Sequence, residues 1–558
     1  MKGSSTWFSR RTALFAPLLA AVLFLSLASG AQAYVYKVKP GGTGDGSSWE
    51  RALGERGFIE TLEKSGHGHE FWLAAGSYRP YLIPDPSEDQ KGTADEKSPR
   101  ERSFTLNPGV ALFGGFAGNE TARSQRDWER NPTILSGFIN LPDGTTANSY
   151  SVVVVSGDVG LAATIDGLTI TGGRADGAGE LSRGGGLRVE AGYTNIFNCY
   201  FYDNRGVAGG GLYVREGGPM IRDTRFSENE GDLGGGAYVE DSGLSMSDCS
   251  FSNNLARSGG GLLLSTTEAE EGGQAMQAVS PTVIKSVFSG NISQAYGGAI
   301  ANWNSSPMIK DISFSANRSF IDGGALFNYE CSPQITACTF DSNRAENGGA
   351  IANWDSDPVV TNCTFFSNNA ASYGGALLND KSSGIIVNST FTLNRAAVGG
   401  GMFNVECSPI VANSILWRNG SEIRSEGGTI TVSYSIVEGG FTGEGNIDED
   451  PRLGALLDNG GFTDTCLPDA ESPAIDSGLR VGSRVSGNVM IPATDQRGMT
   501  RPKGAGVDMG ACEFSDEPVP TPNPVTGGGG GCNTLRGGLG AVLLLLPLFF
   551  SVRNQIQR

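Results

Sequence analysis

Charge is scarce in this sequence, and positive charge is scarcer still. Asp, Glu, Lys and Arg make up 18% of the residues, 41 Lys and Arg stand against 59 Asp and Glu, and the net charge is -18. A surface of that sign is repelled by phosphate backbones and anionic headgroups, which excludes nucleic acid as a partner. Histidine is nearly missing: only His67 and His69 occur. His67-Gly68-His69 lies in a Gly-rich turn without Cys or carboxylate at ligand spacing, so it reads as solvated loop and no metal site is expected. The 83 glycines follow no G-X-Y period, which excludes collagen. Regularly spaced Phe, Ile and Val exclude disorder, because they supply a core that offsets ordering entropy. No helical apolar stripe runs between Gly184 and Asn404. A folded, Gly-rich, all-β chain remains.

Long apolar runs are confined to the two ends. Lys2, Arg10 and Arg11 precede an apolar run from Ala13 to Ala28 and the small-x-small triplet Ala31-Gln32-Ala33, the pattern of a secretory signal over residues 1–33 cut after Ala33. Ser9-Arg10-Arg11 has the start of a twin-arginine signal, but Ala13-Leu14-Phe15 fits the rest of that motif poorly. Both routes lead out of the cytoplasm. At the other end, a Pro/Gly linker over 515–531 leads to Cys532 and an apolar stretch from Leu539 to Val552, broken by Pro547 and followed by Arg553 and Arg558. That stretch is shorter than the ~20 residues of a spanning helix.

The body is repetitive. Phe-x-x-Asn recurs at Phe201, Phe226, Phe251, Phe288, Phe314, Phe340, Phe365 and Phe391, at intervals of 25 or 26 residues with one exception, where Ser265 to Ser280 adds a loop. A Gly-Gly-small-apolar element follows each copy. In the repeat from Cys331, Cys338 and Phe340 share a face while Ile335 has the opposite parity, so all three point inward only if the chain turns a corner between them. Asn343 reads as a second corner, held by an Asn in left-handed backbone, and Gly348-Gly349 enter a third short strand. Three strands and three corners per coil are thus expected, with stacked Asn ladders through Asn343 and Asn353. A leucine-rich repeat shares the period but its signature is missing. A nonapeptide calcium roll fails on period.

Phe-x-x-Asn followed by Gly-Gly-Ala-Ile resembles the polymorphic outer membrane protein repeat, from about Gly184 to Asn419. The resemblance implies an all-β, right-handed single-stranded parallel β-helix of the pectate-lyase-like architecture. Residues 34–180 then form the N-terminal cap and first coils, with a short capping helix around Glu60 to Ser65 and a surface excursion from Pro80 to Arg102. Residues 181–445 are the repeats. Residues 446–514, with Ser472-Pro473-Ala474-Ile475-Asp476-Ser477-Gly478 and Val507-Asp508-Met509-Gly510-Ala511-Cys512-Glu513, look like the choice-of-anchor domain of bacterial surface β-helices. Residues 532–558 resemble a C-terminal sorting signal, cut near Cys532 by a sorting protease; the other reading is an uncleaved membrane anchor.

These signals imply an exported bacterial protein of the cell envelope or surface, contacting a polysaccharide or a neighbouring cell. The alternative is a polysaccharide lyase or glycoside hydrolase on the same fold. Gly66-His67-Gly68 is the only Gly-His-Gly and has no paired aspartates near it, so no catalytic residue is assigned. Asp355 and Asp357 beside Trp354, with Asp322 and Glu330 one coil earlier, leave a two-carboxylate site open chemically. Trp303, Tyr329 and Trp354 follow the second Asn ladder on successive coils and form an aromatic strip able to stack on sugar rings. Asp380 and Val405 continue that position, which points it outward. Cys199 and Cys249 lie two coils apart, beyond the ~7 Å limit for paired Cα atoms, and Cys466 with Cys512 is the candidate disulfide. Asp448, Asp450, Asp458, Asp476, Asp495 and Asp508 suit Asx-turns as well as Ca²⁺, and no cofactor is expected.

Overall fold

The computed structural model describes residues 34–80, 98–141, 143–157, 160–267 and 280–515. The signal segment with Ala33, most of the Pro80–Arg102 excursion, the insertion after Thr267 and the tail with Cys532 lie outside the described residues.

The repeat builds one more strand per coil than its apolar pattern suggests. In the coil of Cys338 the strands are Gln334–Thr336, Thr339–Asp341, Arg344–Asn347 and Ile351–Trp354. Each pairs in parallel with its equivalent one coil away, giving sheets of 14, 13, 8 and 12 strands, called here the first to fourth sheets in that order. The expected three-strand coil is therefore corrected. The missed strand hides because its outward face is polar, with Arg344 and Glu346, and its inward residue, Ala345, is small.

A second correction concerns the corner before that strand. The left-handed residue there is Ser342 (φ 57°), not Asn343, and the equivalent positions hold Asp203, Glu228, Asn253 and Ala316. Asn343 is instead fully buried. Its Nδ2 donates to Phe314 O at 3.0 Å and to Asn368 Oδ1 at 2.9 Å. The same pattern links Asn204 through Asn394 to Asn419, whose amide ends the column on the Glu422 carboxylate. The column thus adds a side-chain donor to the carbonyl of the central Phe of each second-sheet strand one coil back. A second buried ladder joins Asn302, Asn328, Asn353, Asn379 and Asn404 at 2.7–2.8 Å.

Inside, Phe rings from Phe201 to Phe391 stack with centroids 4.3–5.5 Å apart. Each is fully buried, a contribution of roughly 2–3 kcal/mol. The Gly-Gly element is dictated by close backbone approach: a Cβ on Gly348 (φ 60°) would meet Ile351 O of its own coil at 2.4 Å, and one on Gly349 would meet Gly375 O of the next coil at 2.1 Å. The helix Glu55–Lys64 places Phe58 and Leu62 over the first coils, with Phe58 5.5 Å from Phe71 and from Phe104.

Residues 446–514 turn back along the flank of the coils. Gln496 is the pin: its Nε2 donates to Thr339 Oγ1 at 2.8 Å and its Oε1 accepts from Thr364 Oγ1 at 2.6 Å. Ala511 N donates to Thr390 Oγ1 at 3.0 Å, so three successive second-sheet threonines are covered. Within this segment Arg501–Glu513 and Arg497–Asp495 are buried ion pairs. Cys466 and Cys512, the candidate disulfide, are both buried free thiols here, and burial pushes each up to about 12.

Two outcomes test this framework. Asn343→Ala removes the two bonds its amide donates and the two it accepts from Asn317 N and Nδ2, and should cost about 2–4 kcal/mol in urea unfolding; a loss below the scatter of surface variants would discount the ladder. For the end of the column, burial with the nearby Glu438 raises the Glu422 carboxyl from 4.5 to about 7. Between those values the folded chain holds a proton that the unfolded chain has lost, so this group's stabilisation, full below 4.5, fades as pH rises to about 7. Glu422→Gln should flatten the fall in melting temperature across that window.

Candidate functional site

Outside the solenoid, the third and fourth sheets meet at a concave corner. The last third-sheet positions, each just before the Gly-Gly element, hold Tyr296, Asp322, Asn347, Tyr373 and Val398 in register. The outward fourth-sheet positions hold Ala301, Phe327, Ala352, Leu378 and Phe403. Side chains of the two sets pack across the corner: the Tyr296 ring stacks on Phe327 at 4.6 Å, and Tyr373 on Phe403 at 4.8 Å. A shallow trough results, floored by an apolar seam separate from the interior core.

Trp303, Tyr329 and Trp354 stand two residues further along the same strands, so period-two alternation points them to the same outer side. They are paired in register, with Asp380 and Val405 next. Trp303 and Trp354 are half-buried against the seam, and Tyr329 is 38% exposed. Trp303 meets Tyr296 edge-on at 6.4 Å, which ties the strip to the opposite wall. The indole N–H groups of Trp303 and Trp354 are turned inward, buried and without an acceptor, so the rings and not the N–H groups face the trough. Thr266, the first residue beyond the strand below, donates its N–H to Trp303 O at 3.1 Å, so the Ser265 to Ser280 insertion departs beside the strip.

Residues 140–317 match the family described as a right handed beta helix region. The chain is a right-handed parallel β-helix. No curated protein sequence matches it. Among solved structures it is similar to the pectate lyase Pel9A, with 13% identity and a TM-score of 0.33 over 87% of this chain and 98% of that one. It is also similar to XylC in complex with xylose (9%, TM-score 0.34, 86% and 98%) and to a rhamnogalacturonan lyase (11%, TM-score 0.30, 79% and 96%). The trough's side chains have to be read on their own terms.

The carboxylates regroup in three dimensions. Asp322 is 3% exposed in the seam, where Asn347 Nδ2 donates to it at 2.9 Å. Burial pushes its carboxyl up, aided by the charges of Asp380 and Glu346. Asp380, next along from Trp354, is likewise raised by burial. Glu330 and Asp355 instead occupy left-handed positions at the exposed corner after the fourth sheet, and Asp357 accepts from Ser383 N at 2.6 Å. Asp380 lies two coils beyond Asp322, in register with Tyr329 and Trp354. Tyr296, Asn347 and Tyr373 were missed, although their shared place before each Gly-Gly was a readable column.

Towards the N-terminus the third-sheet wall holds a cavity of about 310 Å³, lined by Arg174, Arg205, Arg257, Asp176, Glu230 and Asp232 around Gly206 and Gly231. Arg174 pairs with Asp203 at 3.0 Å and Arg205 with Glu230 at 3.2 Å. His69 belongs to the first coils, with its ring 5.7 Å from Tyr36. Among the described residues no helix is long and apolar enough to cross a membrane.

Proposed function

We propose that this is an exported, surface-anchored β-helix protein of the bacterial envelope that holds glycan chains in its outer trough without cleaving them. The observation that carries the reading is the in-register strip of Trp303, Tyr329 and Trp354, spaced ~4.8 Å per coil beside an apolar seam. Aromatic faces take the apolar faces of sugar rings. Export rests on Lys2, Arg10, Arg11 and Ala31-Gln32-Ala33. Anchoring, with or without a sorting protease acting near Cys532, rests on the Gly-rich, Cys, apolar and basic order of the tail.

A second reading, glycoside hydrolysis or lyase chemistry, is favoured by one observation: a buried carboxyl, Asp322, with its affinity for protons raised, and a second raised carboxyl, Asp380, two coils along. A glycan array combined with reducing-end and unsaturated-uronate assays separates the two. Binding without turnover is expected; turnover abolished by Asp322→Asn would establish the second reading. Trp303→Ala with Trp354→Ala should weaken glycan binding about ten-fold or more, ~1.4 kcal/mol, in a chain that still folds but melts lower for the packing lost against the seam. Unaltered affinity would remove the strip from consideration.

A further inference from the structure

The wall facing the aromatic strip carries a charge that its chain mostly lacks. Along the third sheet, Ile292, Arg318, Arg344, Asn369 and Arg395 are in register, and Arg257 projects two residues beyond Leu255 in the same sheet. All four arginines are exposed. Among the described residues none of the four makes a salt bridge. The outward positions of this stretch hold two carboxylates, Glu346, whose Oε1 accepts from the Ser372 hydroxyl, and Asp322, which is buried in the seam on Asn347 Nδ2. Arg318 and Arg344 are direct neighbours, ~4.8 Å apart at the backbone. Like charges in that position destabilise a sheet, and in a chain of net charge -18 carboxylates to neutralise them were available. The guanidinium of Arg318 lies over the Phe320 ring at 4.2 Å, which holds its plane on the wall. The contacts of Tyr296 with Trp303 and of Tyr373 with Phe403 set this wall and the aromatic strip on two sides of one trough.

We propose that the trough is built for an anionic polysaccharide, with its sulfate or carboxylate groups on Arg318, Arg344 and Arg395 and its ring faces on Trp303, Tyr329 and Trp354. A row of guanidiniums at coil spacing suits a polymer that presents an anion at regular intervals, because each fork gives bidentate, charge-assisted bonds to an oxyanion. The inference rests on the glycan-binding reading and adds the chemical class of the ligand. The same acidic body that repels nucleic acid surrounds the basic wall, so the attraction is local to the trough.

The test uses the full secreted protein, its Arg318→Gln/Arg344→Gln/Arg395→Gln variant, Arg344→Gln alone, and the Trp303→Ala/Trp354→Ala variant. The probes are dextran, dextran sulfate, polygalacturonate and single-stranded DNA, followed by affinity electrophoresis and calorimetry. The parent is expected to bind one or both anionic polysaccharides at least about ten-fold more tightly than dextran. The triple variant should lose about ten-fold or more on those polymers while keeping any affinity for dextran, and Arg344→Gln, with the least risk to folding, should show the same direction. Loss on dextran sulfate alone or on polygalacturonate alone names the anion. Anionic binding unchanged in both arginine variants overturns the inference and leaves the glycan reading standing. DNA bound as tightly as the anionic polysaccharides overturns it in favour of unselective polyanion binding. No polysaccharide bound by the parent overturns both.

Discussion

Every coil must lie on the next in register, ~4.8 Å away, and nearly everything else in this molecule follows from that spacing. Backbone groups find their partners one coil up and one coil down, so a residue at any position is forced against its own equivalent. Inside, this rewards shapes that stack with themselves. Phe does so through parallel rings, and Asn through an amide that donates on one side and accepts on the other. The Asn column also explains its own ending. A chain of donors needs a final acceptor, and Glu422 supplies one at the price of a buried carboxylate, hence its raised affinity for protons.

The interior was legible because stacking forces repetition, and repetition is what a sequence displays. Phe340, Asn343, Asn353 and Gly348-Gly349 point directly to coil, ladder and corner. The third sheet was not legible for the same physical reason in reverse. Its outward residues, Arg344 and Glu346, face water and need not repeat, and its inward Ala345 leaves no apolar signal. The left-handed residue at the corner, Ser342 in one coil and Asp203 or Ala316 in others, varies because its side chain points into solvent where several residue types are tolerated. The Trp303, Tyr329 and Trp354 strip could be found, since it follows an interior ladder by one residue. Asp322 could be found only as a residue, because its burial depends on the concave angle between two sheets, which no periodicity encodes.

That angle gives the outer trough its character. At a convex corner outward side chains diverge into water; here they converge, so Tyr296 reaches Phe327 and Tyr373 reaches Phe403 although each pair belongs to different sheets. Large residues on one wall stand beside small ones on the other: Tyr296 enters the coil of Ala301, and Phe327 enters the coil of Asp322. A polar pair, Asp322 with Asn347, interrupts the apolar seam midway, and desolvation there makes the carboxyl costly to ionise. Pure packing has no need of that acid: an Asn or a Val would fill the position without the charge.

The two flanks of these same coils are treated differently. On the second sheet, Thr339, Thr364 and Thr390 are covered by the returning segment through Gln496 and Ala511, with buried ion pairs behind them. On the other flank, among the described residues, the coils from Tyr296 to Phe403 keep exposed arginines and a half-buried aromatic strip. A solenoid whose only need was stability would gain most by covering the face with apolar rings and leaving the threonines to water. The chain does the opposite: it braces the polar flank and leaves the aromatic one open. A braced coil cannot shift register, and a strip at fixed coil spacing recognises a repeating polymer only while register is fixed. The returning segment is thus as much a part of the trough's chemistry as the residues that line it.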